Sequence, residues 1–107
     1  MESRQPRIVH VEGQVRWYHV ARSRAVRRIL ERSIARWMDV HELFSANLAT
    51  PEYRAVLQRE GEGHFVHCQI EVIAGGQAWA GSRVGSGLQQ ALAECLAHMT
   101  PKTPALP

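Results

Sequence analysis

Apolar and polar residues alternate most cleanly between positions 65 and 73. Val66, Cys68, Ile70 and Val72 fall on one side, and His67, Gln69 and Glu71 on the other. A period of two with one apolar side predicts a half-buried strand in an antiparallel sheet, covered by helices on one face. Ala74-Gly75-Gly76-Gln77 predicts a hairpin turn. Residues 77–84, with Trp79, then form the returning strand, broken at Gly85-Ser86-Gly87. Leu88, Ala91, Leu92, Cys95, Leu96 and Met99 recur at helical spacing, with Ser86 as N-cap and Thr100-Pro101 as the stop. Residues 101–107 hold three of the five prolines and read as a flexible tail.

The first half is less regular. Residues 8–11 and 15–20 are short strand-like runs around Glu12-Gly13-Gln14, which predicts an N-terminal hairpin. From Ser23 the period lengthens. Val26, Ile29, Leu30, Ile34, Trp37, Met38 and His41 lie three and four apart, so one face of a helix is apolar. That helix, or two helices with a break near Asp39, continues through Leu43, Phe44 and Leu48. It ends at Thr50-Pro51, because a residue before proline is disfavoured in the helical region. Residues 53–58 alternate loosely as a strand, and Glu60-Gly61-Glu62-Gly63 forms a turn. The expected fold class is α+β: three antiparallel strands with two helices on one face, plus the N-terminal hairpin. The 107 residues fit one domain over 1–100, followed by the tail.

Charge sharpens the picture at one place. The net charge is +3, but residues 1–36 carry nine arginines against three acids, and residues 37–107 carry four basic residues against seven acids. Arg24, Arg28, Arg32 and Arg36 repeat every fourth residue of the predicted basic helix (21–48). Like charges at that spacing repel mildly, so the row predicts an anionic partner, with Arg27 and Arg22 flanking it. A solvated helix face can look the same.

From residue 40 onward the order is helix, three strands, helix. Pro51-Glu52-Tyr53, Gly61-Glu62-Gly63-His64, the strand Phe65-Val66-His67-Cys68-Gln69-Ile70, Trp79-Ala80-Gly81-Ser82 and the Ala-rich helix from Leu88 follow in that order. Here the chain resembles a degenerate double-stranded-RNA-binding domain, of the type that ends bacterial ribonuclease III, over roughly residues 40–99. The resemblance implies an α-β-β-β-α fold and a loop histidine, His64, aimed at a minor groove. The family opens its last helix with a Lys-Lys-x-Ala-Lys run that holds phosphates. This chain has Gly85-Ser86-Gly87-Leu88-Gln89 there, with Arg83 the nearby cation.

Other chemistry is sparse. His64, His67 and Cys68 lack ligand spacing and a fourth partner, so no metal site is expected. Cys68 and Cys95 both fall on apolar faces and read as buried free thiols rather than a disulfide. Residues 81–87 are rich in Gly and Ser but lack the lysine of a phosphate loop, and read as a strand-to-helix turn. No Ser-His-Asp order or paired-acid motif appears. The expectation is a non-enzymatic module without cofactor. Trp37 belongs to the helix stripe. Trp17, Tyr18 and Trp79 on strands suit a protein interface.

No apolar run is long enough to cross a membrane, and residues 1–7 lack a signal-peptide core, so a cytoplasmic location is expected. The leading expectation is a small protein-binding or self-associating domain. The alternative is sequence-tolerant binding of double-stranded RNA or other nucleic acid through the arginine row.

Overall fold

The protein is described by a computed structural model over residues 11–41, 51–74 and 76–102. Its elements are β1 (Glu12–Tyr18), α1 (Arg24–Val40), β2 (Glu52–Arg59), β3 (Phe65–Ala74), β4 (Gln77–Ser86), α2 (Leu88–Ala97) and β5 (Thr100–Pro101). The strands form one mixed sheet in the order β1-β2-β3-β4-β5. The architecture is α+β, with two helices and five strands.

The antiparallel run β2-β3-β4 follows the predicted alternation. The start of the chain does not. Glu12-Gly13-Gln14 is strand, not turn, and β1 pairs in parallel with β2 from Glu12↔Glu52 to Tyr18↔Gln58. Among the described residues, the expected hairpin is therefore replaced by β1, an edge strand of the sheet. Gly13 has a packing role: it sits opposite Tyr53, and a Cβ there would overlap the Tyr53 ring and carbonyl. An interior strand glycine often marks such close approach. The strand ends at Tyr18, where His19 turns the backbone into the left-handed region (φ 58°). Residues 8–10, the expected first arm, lie outside the described residues.

Parallel neighbours need a crossover connection, and α1 lies within it. Because β1 and β2 point the same way, α1 runs back against both. Ser23 caps its start, accepting a hydrogen bond from the Val26 N–H at 3.2 Å. The predicted continuation through Leu43, Phe44 and Leu48 lies outside the described residues, as does Gly75 of the predicted turn.

At the other end, β4 continues through Gly85 and Ser86 instead of breaking there. Gly87 (φ 112°), not Ser86, is the N-cap of α2. The Ser86 N–H instead donates to the Gln90 side-chain oxygen at 2.6 Å. The glycines before it serve packing: a Cβ on Gly85 would overlap the Ala91 backbone, and one on Gly81 would lie 2.6 Å from the Cys95 carbonyl. Thr100-Pro101 ends the helix as expected and also pairs with Ala80 and Trp79 as edge strand β5. Residues 103–107 of the expected tail lie outside the described residues.

One core joins these pieces. Tyr53, Ala55 and Leu57 of β2 and Val66, Cys68, Ile70, Val72 and Ala74 of β3 meet Leu30, Ile34 and Met38 of α1 and Ala91, Leu92 and Cys95 of α2. Both helices therefore cover one face of the sheet. Among the described residues nothing covers the other face, and the molecule is 20 Å thick in its thinnest direction.

Candidate nucleic-acid interface

The buried residues of α1 form one row, Leu30, Ile34 and Met38. Arg28, Arg32 and Arg36 sit two residues earlier in each case. Two residues turn a helix by about 200°, so the arginine row points away from the core. Arg24, Arg28, Arg32 and Arg36 are all exposed, and none has an ion-pair partner among the described residues. They rise about 6 Å per step and span about 18 Å. The first turn contains no acid to offset them against the helix dipole.

A polar network fixes the rotation of α1 that presents this row. The Tyr53 hydroxyl donates to Glu31 at 2.6 Å, and the Arg27 Nε donates to the same carboxylate oxygen at 3.2 Å. The other end of Arg27 donates to the Gly13 carbonyl at 2.9 Å. Helix α1 is thereby tied to both parallel strands. Burial, followed by the hydrogen bond to Glu31, pushes the Tyr53 hydroxyl pKa well above its ordinary value. The hydrogen bond to Glu31 likewise raises Arg27. Arg27 is thus a structural clamp as well as an exposed cation, unlike the four arginines beside it, which have no ion-pair partner among the described residues.

The remaining predicted residues are dispersed. His64 lies in the exposed turn between β2 and β3, at the end of the sheet where α1 begins. Arg83 is exposed on β4, in register with Cys68, with its guanidinium 3.3 Å from the Ser82 carbonyl. No contact joins either to the arginine row among the described residues. Trp79 is not an exposed sheet aromatic. The register Val72↔Trp79 turns it to the helix side, where it is half-buried and meets Trp37 edge-on at 6.2 Å. Trp17 is also half-buried against the core. Tyr18 is exposed on the uncovered face.

Two features escaped the sequence reading. Phe65 and Val84 are exposed on that same uncovered face. Phe65 has the opposite parity to Val66, and Val84 the opposite parity to Trp79, which was the available signal. The second is a thiol pair: Cys68 and Cys95 are fully buried and free. Their mutual hydrogen bond, with burial, pushes the Cys68 thiol pKa up. Such a thiol is inert rather than nucleophilic. Among the described residues, no group of three His, Cys, Asp or Glu side chains converges as a metal site.

No protein-family model matches this chain, and no curated protein sequence matches it.

Proposed function

We propose that the protein is a non-catalytic module that holds a nucleic-acid backbone, duplex RNA above all, along the outer face of α1. The observation that carries this reading is the exposed row Arg24, Arg28, Arg32 and Arg36, which has no ion-pair partner among the described residues. Guanidinium groups suit phosphate because they present several donors in a fixed fork. A row without base-reading groups positions a backbone without reading its sequence. The likeness to double-stranded-RNA-binding domains belongs to the same proposal. Its support is a helix–strand–strand–strand–helix order with both helices on one face, in which the first helix, Arg24–Val40, precedes the resembling stretch of residues 40–99. The parallel strand β1 and the short β5 are additions to that pattern.

The test is titration with duplex RNA, duplex DNA and single strands at low and near-physiological salt. Duplex RNA is expected to bind with log K falling linearly as log salt rises, and Arg28→Glu/Arg32→Glu is expected to weaken that binding about a hundredfold near 0.1 M salt. Failure to bind any polyanion at low salt, or binding that ignores the double variant, would overturn the reading.

A further inference from the structure

The side of the sheet away from the helices has its own chemistry. Tyr18, Phe65 and Val84 are three of the five exposed large hydrophobic residues among the described ones, at 45%, 55% and 51% exposure. All three stand on this face. Strand register puts Tyr18, Gln58, His67 and Val84 in one row across four strands, with Phe65 beside Ser86 at the end of the next. Val56, Ile73, Ala78 and Ala80 are half-buried on the same face.

We infer that this face is a self-association surface, on which a second copy of the chain packs sheet against sheet. Three observations favour a second copy as occupant. The first is shape. Strand β4 contributes Ala78, Ala80, Ser82, Val84 and Ser86, all small and uncharged. A facing sheet can therefore approach to the usual spacing of about 10 Å.

The second is charge. The face carries Glu12, Glu52 and Glu71 against Arg16, Arg54 and Lys102, and Glu71 is already paired with Lys102 at 2.6 Å. His67 is held by Ser82 and faces Glu60 at 3.5 Å. A second copy meets a balanced face rather than a like-charged one, whereas a phosphate backbone gains nothing there. The third is area. Strands of 7, 8, 10, 10 and 2 residues, at about 3.3 Å per residue and about 4.8 Å apart, give a footprint of about 600 Å² per copy, or about 1,200 Å² for the pair. That is the lower end of the range for specific interfaces, about 1,200–2,000 Å². The mixed composition also suits a non-obligate contact. In this dimer both arginine rows face outward on opposite sides, so self-association and backbone binding do not compete.

The experiment is sedimentation equilibrium of the full chain from about 1 μM to several hundred micromolar. The wild type is expected to move from the 12.1 kDa chain mass toward twice that mass. Val84→Glu should weaken the association at least about tenfold, since it buries an unpaired charge. Ser82→Glu should act likewise and stands in if Val84→Glu fails to fold by circular dichroism. Arg28→Glu/Arg32→Glu should leave the association unchanged. A wild type that stays at the chain mass throughout would overturn the proposal and assign the face to a different partner. An association indifferent to the folded glutamate variants would overturn it too, by placing the contact elsewhere.

Discussion

Arg24, Arg28, Arg32 and Arg36 stand on one side of the molecule, with no carboxylate paired to them among the described residues. On the other side, Glu12, Glu52 and Glu71 share the face with Arg16, Arg54 and Lys102, and Glu71 is joined to Lys102 at 2.6 Å. The contrast shows where the fold tolerates repulsion. Three like-charged i,i+4 pairs along α1 cost about 1 kcal/mol together. Burial of Leu30, Ile34 and Met38 on the same helix contributes about 5–9 kcal/mol. The core can therefore hold the helix while its outer face remains electrostatically unfavourable. The open sheet face has no such reserve of charge, and its potential lies in area and flatness.

The sharpest way to break the comparison is to disturb what lies between the two sides. Gly85→Ala is expected to cost about 3 kcal/mol or more, because the added methyl meets helix backbone rather than a yielding side chain. Denaturant unfolding measures it. An Ala80→Ser change on the open face should stay within about 0.5 kcal/mol in the same assay. A tolerant Gly85 would mean that α2 does not pack so closely on β4.

Next in size is Arg28→Glu/Arg32→Glu, expected to weaken duplex-RNA binding about a hundredfold near 0.1 M salt and to reduce the salt slope by about two. Tyr53→Phe should cost about 1 kcal/mol at neutral pH and carries a pH signature. The folded state holds the Tyr53 proton more tightly than the unfolded chain does. This contribution is complete below about pH 10 and is lost as the pH rises beyond it. The phenylalanine variant should lose that alkaline decline, read from urea unfolding at neutral and alkaline pH. Smallest is Ser23→Ala, expected to cost between about 0.5 and 1 kcal/mol by removing the α1 cap. Faster amide exchange in the first turn, around Arg24, would report it.

The sequence was most informative where period and burial agree. Strand β3, and α2 from Leu88, could be read because the buried side chains are also the apolar ones. The outward arginine row was readable for the same reason, as the complement of the Leu30-Ile34-Met38 stripe. Strand β1 was not. Gly13 beside a short polar run looks like turn chemistry, and only contact with Tyr53, far along the chain, reveals a close-packed strand. Trp79 was misplaced because β4 has small residues on both sides, so its parity is weak without the pairing to β3. The meeting of Cys68 and Cys95 depends on how α2 lies across the sheet, which no local pattern contains.

The parallel pairing of β1 also sets an order of events. Strands β2 to β4 and α2 are neighbours in sequence and in space, so their contacts close short loops and can form early. β1 is synthesised before β2, the strand it pairs with, and the whole of α1 lies between them. It must therefore wait on the ribosome for that partner to emerge. Until it docks, β2 presents an open edge and Tyr53 lacks the Gly13 backbone against which it packs. Strand β1, made before its partner, is then among the last to be secured, and that interval is when the nascent chain is most exposed to pairing with a neighbour.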